Sequence, residues 1–158
     1  VRVSFDVAGF LVAHRAQILA ATDAEVIGRR LPHYEAAGAE ETTKRLAALF
    51  DVVVTAAAEN HLDPALTYAD HIAAQRQQSG HDLGEIQLAI NALEEQLWRA
   101  VTESAPVEAQ GLALGTVSTI LGAVKDRLAC EYVSRAAGRP THTLRIEELF
   151  RGTEAGQG

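Results

Sequence analysis

Apolar residues recur at intervals of three and four along most of this chain, and no stretch shows a strong alternation of period two. That spacing constrains the fold more than any other feature. A stripe of this period faces one direction on an α-helix, whereas on a strand it would be divided between the two faces. Leu46, Leu49, Val53 and Ala57 form one such stripe, and Leu83, Ile86, Ile90, Leu93, Leu97 and Val101 form another. After Pro106, Leu114, Val117, Leu121, Val124 and Leu128 follow the seven-residue rhythm of a supercoiled seam. The pattern predicts an all-α fold, a bundle of five to six helices. With 158 residues, 47% of them hydrophobic, the chain can close one core. We therefore expect a helical domain over 1–138, and a C-terminal segment and tail or linker over 139–158.

Boundary residues sharpen this outline. Phe5 to Ala20 is expected to form one helix, apolar on nearly every side from Val7 to Ala13 and so in need of cover all round. A short helical turn is expected over Asp23–Arg30, stopped by Pro32. Glu40 and Glu41 suit the first turn of a helix over 39–60. Asp63 and Pro64 read as a cap and first-position proline, opening a helix that carries Ala65, Ala69, Ile72 and Ala73 to near Gly80. Asp82 is the expected N-cap of the next helix, with Glu85 as its capping-box partner and Glu94 and Glu95 on the outer side. The longest helix, from about Glu108 to Ala137, would extend about 45 Å.

That last helix has a second, nearly bare stripe of Gly111, Gly115, Ser118 and Gly122. Each glycine costs roughly 1 kcal/mol of helix stability relative to alanine, so three in one interior point to a packing reason. Together with Leu114, Leu121 and Leu128 they are the expected sites of close helix packing or of a dimer interface. The apolar run from Gly111 to Val124 is fourteen residues, short of the roughly 20 needed to span a bilayer, and no transmembrane helix is expected. Thr141 to Phe150 reads as a short extended piece or a final helix, and RGTEAGQG as a loose tail or linker.

Charge and motifs narrow the chemistry. A net charge of -7 and a pI near 5.3 disfavour the basic groove that nucleic acid requires. A single cysteine, Cys130, leaves no intrachain disulfide, and nothing at the start resembles a signal peptide, so a cytoplasmic location is expected. The chain lacks methionine, so either the initiator was lost or Val1 is an interior point of a longer protein. Neither Glu-x-x-His nor His-Glu-x-x-His occurs, which argues against a metal, and no glycine-rich phosphate loop is present. Ser118 has no nucleophile-elbow context, and Cys130 has the setting of a buried, inert thiol. With the acids spread over outer faces, no catalytic residue and no cofactor are assigned.

Four residues are candidate ligand contacts: His14, His33, Tyr34 and Tyr68. His14 lies between Leu11 and Ile18 on an apolar helix, where it reads as a hydrogen-bonded core residue, an organic-ligand contact or an axial haem ligand. His33 and Tyr34 follow Pro32 as a loop pair that could line a cleft mouth or simply be wet. Tyr68 shares a face with His71 and Gln75, turned to solvent, to a partner or to a pocket. His81 and Glu85, four apart, could join in a polar cluster.

Three stretches carry a family resemblance: TTKRLAALFDVVVTAA over 42–57, YADHIAAQRQQSGHDLGEIQLAINALEEQLW over 68–98 and LGTVSTILGAVKDRLACEYV over 114–133. They resemble the N-terminal sensory domains of the RsbR and RsbRD kind, helical modules that precede an output domain in stressosome proteins. The middle stretch, an Ile-Ala-x-x-Arg turn, a glycine and an acid-containing helix ending in Trp98, is the most telling. The resemblance implies packed helices similar to those of globins, generally without haem, and dimerisation along terminal helices. No output domain is recognisable in the sequence. A non-enzymatic regulatory or sensory domain is thus expected, acting through homodimerisation and through a protein partner, a fused output domain or a small apolar ligand, without nucleic acid or membrane. The alternatives are a small helical enzyme with an interior pocket near His14, or a ligand-free scaffold.

Overall fold

The computed structural model describes residues 4–138, all of whose regular structure is helical. The expected element over 141–150 and the tail lie outside the described residues. Seven helices follow in order: α1 Val7–Ala13, α2 Arg15–Gly28, α3 Pro32–Ala37, α4 Ala39–Glu59, α5 Asp63–Gln78, α6 Leu83–Ser104 and α7 Val107–Ala137.

The count exceeds expectation by α3, and the boundaries before it also shift, because the first stretch breaks at His14. The His14 ring nitrogen Nδ1 and the His14 backbone N–H both meet the Phe10 carbonyl, at 2.8 and 3.3 Å, so a side chain intrudes on the helical ladder. The ladder resumes when the Ile18 N–H reaches the His14 carbonyl at 3.0 Å. The turn expected over 23–30 is not separate but the end of α2. The helix does end before Pro32, with Leu31 extended at ψ 124, and Pro32 also opens α3, where its missing N–H costs nothing. Asp63 is not a cap: it lies inside the first turn of α5, preceded by Leu62, and makes no side-chain capping bond. Asp82 does cap α6, accepting from the Gly84 N–H at 2.9 Å.

Helix α7 is the spine. It lies along α5 and α6 and also touches α4, while α2 packs on α6 and α4, and α1 on α4. The stripes read from the sequence meet in the middle: Leu46, Phe50, Val53, Leu93, Leu97, Val117, Leu121 and Leu128 are fully enclosed, with Leu11 and Ile18. By length and composition α7 is apolar enough to cross a membrane, with a mean hydropathy of 1.3 over its most apolar window, of which a third is buried within the bundle.

The glycines of the bare stripe have no close neighbour among the described residues. A Cβ placed on Gly111, Gly115 or Gly122 would meet nothing within 4 Å. Gly111 and Gly115, with the 55% exposed Leu112, border an open cleft of about 670 Å³ between α7 and the α4–α5 connection. Ser118 accepts a hydrogen bond from the Trp98 indole N–H at 3.1 Å. Leu121 and Leu128 are core residues, and Leu114 is half-buried.

Candidate functional site

A group of polar residues lies where α3 packs on α4, reaches α6 through His33 and Glu85, and faces the C-terminal part of α5 across a small space. Arginine continues the apolar stripe of α5: Ala65, Ala69, Ile72 and Ala73 are buried, and Arg76, one turn further on, is buried with them at 5% exposure. Its Nε and Nη1 are buried and have no hydrogen-bond partner, and no carboxylate pairs with it among the described residues. Burial first, then the charge of Arg45, presses the Arg76 pKa below its ordinary value. Arg76 borders a small, partly open space of about 20 Å³ whose other polar neighbours are Tyr34, Arg45 and Tyr68.

Each neighbour comes from a different local rule. Pro32 starts α3 and so places His33 and Tyr34 on a helix, where Tyr34 turns inward to 7% exposure. The loop expected for this pair is therefore corrected to a helical turn. Arg45, on α4, pairs with Glu41 one turn back at 3.1 Å and lies over the Tyr34 ring at 5.7 Å. Tyr68, half-buried on α5, packs against the core, whereas His71 and Gln75 are exposed. Burial pushes the Tyr34 phenol up and the Tyr68 phenol up to about 12, so both stay neutral at physiological pH.

A second layer holds α3 in place. Glu85 accepts from the His33 backbone N–H and binds the His33 Nδ1, both at 2.9 Å. This corrects the expected capping box: the carboxylate reaches across to another helix instead of back to its own cap. Gly80, at φ +72, turns the chain between α5 and α6 and delivers His81 beside His33, with ring centroids 4.6 Å apart. Arg45 Nη1 approaches His81 Nε2 at 3.5 Å, and the Tyr132 hydroxyl of α7 donates to the His81 carbonyl at 3.2 Å. Since a guanidinium only donates, that geometry suits a neutral His81 accepting at Nε2. Its Nδ1 is buried without a partner. Burial, then Arg76, His33 and Arg45, lowers the His81 pKa.

Of the four expected ligand contacts, the structure brings together His33, Tyr34 and Tyr68 and leaves His14 elsewhere. His14 is half-buried at the α1–α2 break, stacked on Phe10 with ring centroids 4.3 Å apart, and it lines neither this space nor the α7 cleft. Arg76 and Arg45 went unrecognised in the sequence. A charged residue in register with an apolar stripe, as Arg76 is with Ala65, Ala69 and Ile72, was the available signal. Among the described residues no group of three or more His, Cys, Asp or Glu side chains is placed to hold a metal ion. The Cys130 thiol, half-buried on α7, is pushed up by burial. The arrangement thus concentrates positive charge and neutral hydrogen-bonding groups around a small space. Compared with family models, with curated proteins and with solved structures, the chain matches none.

Proposed function

We propose that this chain is a non-enzymatic helical regulatory or sensory domain of bacterial signalling, working in the cytoplasm by binding: a small ligand in the polar centre under α3, and a second copy of itself along α7. The observation that carries this is the uncovered face of α7. A Cβ at its glycines would meet nothing within 4 Å among the described residues, and Leu112 and Val107 beside them are 55% and 80% exposed. Glycines in a helix interior weaken it unless something packs closely on them, and a two-fold, self-complementary patch supplies that cover. The resemblance to RsbR-type sensory domains, with dimers along terminal helices, points the same way.

Light scattering at micromolar concentration should give about twice 16.9 kDa. Gly115→Leu should return the mass to that of a monomer without loss of helical content, because a Cβ there meets nothing within 4 Å among the described residues. A wild-type monomer persisting to high concentration would overturn the dimer, and so would a Gly115→Leu dimer of unchanged affinity.

A further inference from the structure

We infer that the space beside Arg76 is a binding site for one small monovalent anion, of about halide size. This rests on taking the polar centre as the receiving end of the domain, and it is independent of dimerisation through α7. The first ground is charge. Arg45 is balanced by Glu41 at 3.1 Å, and Glu85 is taken up by two bonds to His33 at 2.9 Å. Arg76 is left as one buried positive charge with no carboxylate against it among the described residues.

A buried ion of this kind is normally paired. The phenols that share the space cannot supply the countercharge, because burial holds both Tyr34 and Tyr68 in their neutral form. The second ground is room. A space of about 20 Å³ exceeds the roughly 10–15 Å³ that a single water occupies on this measure, yet it is too small for an extended organic acid. Water there would accept a hydrogen bond from Arg76 but leave its charge uncompensated. One negative charge of about halide size comes nearest to meeting both demands, whereas formate and nitrate, of three and four heavy atoms, exceed the space.

The test uses the full chain at fixed ionic strength, with sodium gluconate exchanged stepwise for formate, nitrate or bromide. At about a hundredfold excess over Kd, bromide should raise Tm by about 5–10 °C and saturate. Formate, nitrate, gluconate and sulfate, too large for the space, should not. In Arg76→Met, a substitution of similar length without the charge, the response should vanish while the fold is kept. Crystals grown in bromide should show an anomalous peak within hydrogen-bond reach of the Arg76 guanidinium. Should Arg76→Met fail to fold, that peak decides alone. Equal responses in wild type and Arg76→Met would overturn the inference. So would a wild type indifferent to bromide, or water in place of bromide beside Arg76.

Discussion

Glu94 and Glu95 are neighbours on α6, yet the helix turns about 100° between them, and the two carboxylates meet different surroundings. Glu95 pairs with the exposed Arg99 at 2.7 Å on the outer surface, as the sequence pattern suggests. Glu94, expected on that outer side too, is buried and holds Lys125 of α7 at 2.6 Å. Its partner lies 31 residues away, and no local spacing rule reaches that far. Glu94→Gln should therefore cost about 1–3 kcal/mol, since it replaces a charged hydrogen-bond acceptor in a confined place. Glu95→Gln should change stability by only a few tenths of a kcal/mol. Urea melts of the two mutants, run side by side, check the contrast. The Asp82 cap was legible because a cap is written within three residues of its helix. The partnership of Glu85 with His33 was not, because it joins residues 52 apart.

At the scale of the element, the long helices α4, α6 and α7 were legible from period alone, and their apolar stripes are the core. What the period could not reveal was where α1 and α2 separate, since the cause is a histidine side chain competing for a single carbonyl. Nor could it reveal α3, a helix of six residues, too short to display a repeat. The ends of these short elements make opposite demands on glycine. Gly28, the last residue of α2, has helical geometry and open space around its Cβ position, so Gly28→Ala should stabilise by about 0.4–1 kcal/mol. Gly38 joins α3 to α4 at φ +87, and Gly38→Ala should cost about 1–2 kcal/mol although nothing lies within 4 Å of it. Thermal melts of both mutants should shift in opposite directions.

For the molecule as a whole, the sequence conveyed the fold class and five of the residues around the polar centre, His33, Tyr34, Tyr68, His81 and Glu85, whereas the assembly of that centre depends on how four helix ends converge. The convergence leaves a mark on the pH dependence of stability. His81 has a folded-state pKa below its ordinary 6.5, so just below that pH the unfolded chain binds more protons than the native one. Its contribution to stability is complete above about pH 6.5 and is lost as pH falls towards the folded value. Denaturant melts between pH 7.5 and 5 should show this decline, and His81→Gln should flatten it.

Helix α3 adds a consequence of its own. It is bounded by Arg30 at φ +52 and Gly38 at φ +87, it carries Tyr34 at the wall of the Arg76 space, and it is tied to α6 through His33 and Glu85. A segment so attached can swing out as a local opening while the long helices stay folded. Release of anything lodged beside Arg76 would then require breaking the two bonds from His33 to Glu85 and the Thr42 bond to the Tyr34 carbonyl, and drawing Tyr34 out from under Arg45, so a substitution at Glu85 that leaves the guanidinium untouched should shorten the residence time.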